Sequence, residues 1–283
     1  MTRLTSPSKE IEIGRGLPTV IIGERINPTG KKKLAAALQE GDWAYIAREA
    51  TRQVEAGAVV LDVNAGVPGI DEPRALRQAV ETVMAAVDVP LCIDSSDPAA
   101  LAAALAVYKG KALVNSVTGE KHILDKVLPV VREHGAAVIG LCMDDNGISC
   151  SVEDRVDVAR RIVEAAESYG IPREDVVIDC LAMTVSADHT AAWTTLAAIR
   201  RVTEELGVNT VLGASNISYG LPDRQAVNAV FLGMAIGAGL TSAIVDPTVP
   251  DIPKAIITAD LLAGRDEYAM RYIQHYRATQ QKG

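Results

Sequence analysis

Between Ala137 and Asp179 the chain reads Ala137-Val-Ile-Gly-Leu141, then Ser151-Val-Glu-Asp154, then Val176-Val-Ile-Asp179. The first and last of these are short, apolar runs without alternation, as expected of strands covered on both faces. Ser151 followed three residues later by Asp154 is a capping box, and it opens a helical pattern that runs to Tyr169 and stops at Gly170. Strand, helix and strand in that order make one parallel βαβ unit.

The same unit recurs along the chain. Further strands are expected at Thr19–Gly23, Val59–Val63, Leu91–Asp94, Ala112–Asn115, Thr210–Gly213 and Ser242–Val245. Helical patterns lie between them, among them Asp42–Ala56 and Ile123–Glu133. Eight strands in 283 residues leave about 35 residues per unit, the length of a (β/α)8 TIM barrel. An open doubly wound sheet would carry a glycine-rich phosphate turn after its first strand. Here that strand runs into Gly23-Glu-Arg-Ile-Asn-Pro-Thr-Gly30, which is neither GxGxxG nor a P-loop. One domain over residues 1–283 is expected, with 1–18 as an irregular plug under the barrel and 265–283 as a C-terminal helix. In that helix Tyr268, Tyr272 and Tyr276 would form one stripe. The pattern from Val227 to Ala238 is apolar nearly all round, so it needs cover on more than one side, and a homodimer is the expected source of it.

Composition narrows the partners. Twenty-eight basic against 36 acidic residues give a net charge of −8, which disfavours nucleic acid and anionic membranes. A 4% aromatic content with a single Phe offers no base-stacking platform. No apolar run has the roughly 18–20 residues that a membrane span requires. Met1–Gly16 is polar and lacks the apolar segment of a secretory signal, and Cys92, Cys142, Cys150 and Cys180 show no CxxC pairing. Reduced thiols and a cytoplasmic location are the expectation.

A barrel of this kind places its chemistry at the C-terminal ends of the strands. There the sequence puts Glu24 and Asn27, Asp62 and Asn64, Asp94, Asn115, Asp144 to Asn146, Asp179, Ser215 and Asn216, and Asp246. Turns favour Asn and Asp for their own reasons, but eight strands ending in carboxylates or amides exceed that preference. Carboxylate acceptors beside amides that both donate and accept suit a flat heterocycle with an amino-amidine edge. A divalent metal is the rival occupant, since hard cations also take oxygen ligands. No His stands at an expected strand end, and no metal is assigned. Gly213-Ala-Ser-Asn-Ile217 lacks the closing glycine of a nucleophile elbow, which removes Ser215 as a nucleophile.

Taken together and in order, Ile22-Gly-Glu-Arg-Ile-Asn27, Leu61-Asp-Val-Asn-Ala-Gly66, Cys92-Ile-Asp-Ser-Ser96, Val114-Asn-Ser116, Ile178-Asp179 and Leu212-Gly-Ala-Ser-Asn-Ile-Ser218 resemble the pterin-binding methyltransferases. That family includes methyltetrahydrofolate:corrinoid/iron–sulfur protein methyltransferase and the folate-binding domain of cobalamin-dependent methionine synthase, and the likeness spans about residues 20–264. The resemblance implies a dihydropteroate synthase-like barrel and methyl transfer between N5 of methyltetrahydrofolate and the cobalt of a corrinoid protein. It implies that Asp94, Asn115 and Asp179 hold the amino-pyrimidine edge of the pterin and that Asn216 reaches N5. Gly213 and Ser215 would line the same loop, with Asp62 and Asn64 beneath and Glu24 and Asn27 in the first-strand motif. Arg224 falls on a matching Arg of unspecified role, and Cys180 replaces the Pro that often follows the Asp. The cobalamin would be carried by the partner, because the chain has no Asp-x-His-x-x-Gly corrinoid motif. The alternatives are a non-catalytic pterin-binding subunit of a larger methyl-transfer assembly and a dihydropteroate synthase. The synthase is disfavoured because its late Ser-Arg-Lys motif is here Ser215-Asn216-Ile217.

Overall fold

A computed structural model describes residues 1–280. Its strands are β1 (Thr2–Thr5), β2 (Glu10–Ile13), β3 (Val20–Ile26), β4 (Val60–Val63), β5 (Leu91–Asp94), β6 (Leu113–Thr118), β7 (Ala137–Leu141), β8 (Val176–Asp179), β9 (Asn209–Val211) and β10 (Ser242–Val245). The helices are α1 (Lys32–Glu40), α2 (Trp43–Glu55), α3 (Glu72–Ala86), α4 (Pro98–Leu105), α5 (Lys121–Glu133), α6 (Val152–Ser168), α7 (Ala191–Arg201), α8 (Arg224–Ala238), α9 (Asp251–Leu262) and α10 (Met270–Gln280). Strands β3 to β10 form one parallel eight-stranded sheet in the order β10-β3-β4-β5-β6-β7-β8-β9, curled into a TIM barrel inside a ring of helices.

The seam between β9 and β10 is thin because β9 is three residues long. The backbone N–H of Ile244 donates to the Leu212 carbonyl at 2.9 Å. Hydroxyls add to the join: Thr241 Oγ1 and Ser242 Oγ donate to the Thr210 carbonyl at 2.7 and 3.0 Å. Helix ends follow the local chemistry. Asp42 Oδ1 accepts from the Tyr45 N–H at 3.0 Å and starts α2. Ser151 Oγ accepts from the Asp154 N–H at 3.3 Å, but the Asp154 carboxylate turns to Ser149 Oγ at 2.7 Å instead of closing the capping box.

Four expectations change. Residues 1–18 are not an irregular plug: β1 and β2 pair as an antiparallel hairpin. Leu4 and Ile13 are fully buried and pack with Ile22, Val60, Cys92, Leu113, Ile139 and Val177 in a small core inside the barrel. The first barrel strand runs on to Ile26, with a register shift between Gly23 and Ile26, because Gln53 Oε1 takes the Arg25 N–H at 2.8 Å. A Cβ on Gly23 would lie 2.5 Å from that same Gln53 oxygen, so a side chain there would push Gln53 off the Arg25 N–H. Strand β6 likewise continues past Asn115 to Thr118. The C-terminal helix begins at Met270, after a kink with Tyr268 at φ 53°, so Tyr268 leaves the stripe and only Tyr272 and Tyr276 share the helix. Residues 281–283 of that expected helix lie outside the described residues.

Candidate functional site

The ends of β4, β5 and β6 bring Asp62, Asp94 and Asn115 together. Asn115 Nδ2 donates to Asp62 Oδ1 at 3.2 Å, and Asn27 Nδ2 donates to Asp94 Oδ2 at 3.0 Å. Asn64 also hydrogen-bonds the Asp94 carboxylate, and the Cys92 thiol hydrogen-bonds Asp62. Burial is the dominant influence on both acids. It pushes Asp94 up to about 6, and it lifts Asp62 well above the usual carboxylate range, helped by repulsion from Asp94.

Asp179 closes β8 on the far side of the barrel mouth. Its carboxylate accepts from the Leu181 N–H at 2.7 Å and from the Gly213 N–H at 3.4 Å. Burial raises this group to about 6 although both donors and the nearby Arg155 oppose the shift. Two backbone donors from different loops thus fix the direction of this carboxylate.

The loop after β3 closes the ring. Glu24 is largely buried, which raises its pKa, while Lys31 and a hydrogen bond to Ser215 pull the other way. Lys31 Nζ donates to the carbonyls of Glu24 and Asn27 at 2.9 and 3.2 Å, so the cation stitches the loop. Asp246 behaves differently from the other rim acids. It accepts from Arg25 Nη1 at 3.1 Å while Arg25 Nε reaches Glu49 at 3.2 Å, and this ion-pair chain belongs to the barrel wall.

After β9 the chain makes a short 3-10 turn over Ala214–Ser218. Arg224, whose role the sequence left open, clamps this turn: Nη2 donates to the Ser215 carbonyl at 2.7 Å and Nε to Ser218 Oγ at 3.0 Å. Asn216 stands on the turn, exposed, and its side chain makes no hydrogen bond among the described residues. A preformed turn carrying a free amide, beside acids that prefer to share their charge with a donor, is built to meet a ligand having both acceptor and N–H donor positions.

Two features escaped the sequence. One is Arg155, fully buried beneath the β8 exit. The other is a His at the rim: Glu120, His122 and Asp145 have potential ligand atoms within 4.8 Å of one another. They sit on the surface between the β6 and β7 exits and outside the acid–amide ring. The sequence placed Asp145 at the rim but missed Glu120 and His122, because β6 ends at Thr118 and not at Asn115, which moves the rim toward His122.

Residues 23–246 match the family model of the pterin binding enzymes. The methylcorrinoid:tetrahydrofolate methyltransferase of Eubacterium limosum is 34% identical over 264 residues, covering 91% of this chain and 96% of that protein. Methionine synthase of Mycobacterium leprae is 34% identical over 245 residues, but these are 81% of this chain and only 20% of that much longer protein. Among solved structures, dihydropteroate synthase of Yersinia pestis with a sulfonamide drug superposes with a TM-score of 0.71 at 17% identity, over 93% of this chain and 99% of that one. Dihydropteroate synthase of Xanthomonas albilineans with 7,8-dihydropteroate gives 0.69 at 22% identity, over 92% and 98%. At these identities what the synthases share with this chain is the barrel.

Proposed function

This chain belongs to the pterin-binding enzymes and is a methyltransferase; on that premise we propose that it moves a methyl group between N5 of methyltetrahydrofolate and the cobalt of a corrinoid held by a partner protein. The observation that carries the reading is the pairing of two things at one barrel mouth. Buried carboxylates and amides on β4, β5, β6 and β8 form a socket, and the unpartnered amide of Asn216 stands over it. The E. limosum relative is named for transfer between the same two kinds of methyl carrier.

In this reading Asp94 and Asp179 accept N–H bonds from the amino-pyrimidine edge and Asn115 completes the match, with Asp62 and Asn64 holding the carboxylate row from below. Each charged acceptor replaces the stabilisation it lost on burial with a hydrogen bond from the ligand. Asn27, Glu24, Gly213 and Ser215 shape the side wall. A tertiary amine leaves poorly, so N5 must take up a proton from solvent and gain positive character before cobalt(I) displaces the methyl. An amide oxygen that bonds N5–H more strongly as the proton arrives gives stabilisation specific to that charge build-up. Asn216 supplies it, and Arg224 fixes the turn that aims it. The nucleophilic power belongs to cobalt(I), a substrate group brought by the partner. The open mouth and its rim loops, Asp144–Cys150 and Ile217–Arg224, form the docking face for that protein.

We further propose that two copies associate through α8. Phe231, Leu232 and Ile236 bury one side of this helix against the barrel, while Val230 and Met234 remain 67% and 41% exposed on the other. A groove of about 610 Å³ separates α8 from α9, where Leu262 is 83% exposed.

The test is an assay of the purified protein with methyltetrahydrofolate and free cob(I)alamin, with binding followed in parallel by calorimetry. Turnover to methylcobalamin with saturable folate dependence is the expected result. Binding without turnover, with free or protein-bound corrinoid, would reduce the chain to a folate-holding subunit, and absence of binding would overturn the reading.

A further inference from the structure

Arg155 lies in the first turns of α6, yet its side chain is driven inward and the residue is 1% exposed. The guanidinium spends its donors on main-chain oxygens: Nε on Ser149 at 2.7 Å, Nη1 on Cys180 at 2.9 Å and on Leu181 at 2.8 Å, with Thr195 Oγ1 at 3.4 Å. Among the described residues no carboxylate lies within ion-pair distance of it, which is unusual for a buried cation, because such a charge needs compensation. Asp179 is a buried carboxylate within its field, and each of the two charges acts on the other.

The turn between the two residues is held from both sides. Leu181 has φ 61°, a left-handed conformation that a branched side chain adopts only when its surroundings enforce it. Its N–H points to Asp179 Oδ1, and its carbonyl is gripped by Arg155 and by Thr195 Oγ1 at 3.1 Å. Thus one side chain fixes the turn and supplies a positive charge behind the carboxylate.

We infer that Arg155 is the positioning residue for Asp179: it grips the Leu181 turn whose N–H sets the direction of the carboxylate that receives the pterin, and it places a positive charge behind that carboxylate. This rests on the functional reading above. A neutral donor could hold three carbonyls, so the buried charge is what the clamp alone leaves unexplained. The other titratable groups around this pair are the thiols of Cys180 and of Cys142 just after β7, with Cys150 and Asp188 near the guanidinium from the surrounding loops. The Cys180 thiol remains neutral, since its hydrogen bond to Cys142 and its burial raise it far above the usual thiol range. Arg155 is therefore the cation that acts on Asp179.

The experiment is calorimetric titration with methyltetrahydrofolate from pH 5.5 to 8.5 for the wild type, Arg155→Met, Arg155→Lys, Asp179→Asn and the Arg155→Met/Asp179→Asn pair. Removal of the charge should move the inflexion of the binding–pH curve upward by about one unit, so that binding weakens about eightfold at pH 5.5 and about twofold at pH 7, with the deficit vanishing at pH 8.5. Arg155→Lys should keep the wild-type inflexion. In the Asp179→Asn background the Arg155 substitution should change binding less than twofold. A deficit of the same factor at every pH, or independent multiplication of the two single effects, would overturn the inference. If Arg155→Met does not fold, Arg155→Gln provides the neutral variant; if that also fails, a shifted inflexion in Arg155→Lys overturns the inference and an unshifted one supports it. Wild-type protein that does not bind the folate would instead refute the functional reading itself.

Discussion

The side-chain amide of Asn27 donates to Asp94 Oδ2 across 3.0 Å, fastening the loop that leaves the first barrel strand to the carboxylate that closes the third. Asp94 therefore meets a ligand already half-satisfied and fixed in direction. Asn27→Ala should leave the fold intact and weaken methyltetrahydrofolate binding by about three- to tenfold, the effect of one charge-assisted hydrogen bond between protein groups lost around the acceptor. Calorimetry measures this; an unchanged affinity would remove Asn27 from the site.

Asn216 is expected to divide binding from turnover. Loss of one preorganised donor or acceptor aimed at developing charge costs about 2.7–4 kcal/mol at such sites, or roughly 10²–10³ in rate. Asn216→Ala should lose that factor in methyl transfer while its dissociation constant for methyltetrahydrofolate changes less than threefold. Single-turnover kinetics beside calorimetry check it, and equal losses in the two would make Asn216 a simple anchor.

Asp179→Ala should act on binding first. It removes a carboxylate that two backbone donors aim at the mouth, and the affinity should fall by at least about 30-fold, within the range of a lost hydrogen bond to a charged group. Retained affinity would show that the ligand lies elsewhere.

Acidity should move stability and binding in opposite directions. Asp94 and Asp179 titrate near 6 in the fold against 3.8 for the free side chain, so the folded state holds protons more tightly. Their stabilising contribution is fully present below the unfolded value and is lost as pH rises through about 6. Between pH 7.5 and 5.5 the ligand-free protein should gain about 1–2 kcal/mol from these two groups, read as a rise of a few degrees in Tm. Folate binding needs both groups ionised and should weaken on the order of tenfold over the same interval. A binding constant flat from pH 7.5 to 5.5 would contradict the assignment.

The proposed dimer yields to charge. Val230→Asp places a carboxylate on the exposed ridge of α8, where the residue contacts little of its own barrel. Light scattering should show monomer for the variant and dimer for the parent, with an unchanged thermal transition in dilute solution if the monomer is self-sufficient.

How much of this was legible in the sequence depended on whether a residue's role is local. The strands were readable because both faces are covered and the apolar runs are unbroken; six of the eight both begin and end within a residue or two of the expected bounds. The two that run further, β3 and β6, are prolonged by partners distant in sequence, such as Gln53 on α2, which no local pattern exposes. The hairpin at the start was misread because its four-residue strands are polar on one side and find their apolar contacts only inside the finished barrel.

The site followed the same division. An acid or amide at a strand end is a local property, so Asp62, Asp94, Asn115 and Asp179 could be listed from the sequence. Which of the rim acids is spent on the wall was not local: Asp246 is taken by Arg25, 221 positions away. Arg155 did leave a trace. It interrupts the apolar face of α6 formed by Val152, Val156, Ala159, Ile162 and Val163, and a charge on such a face must have a buried partner.

The hairpin under the barrel has a consequence for the order of assembly. Asn209 on β9 donates to Thr2 Oγ1 and to the Ile13 carbonyl, joining positions 207 and 196 residues apart. A nascent chain thus emits its floor long before the wall that will receive it, and Leu4 and Ile13 must wait in water until the seventh stave is made. Closure from below is a late event, and chain segments arrested before residue 209 should keep this end open to proteases and chaperones.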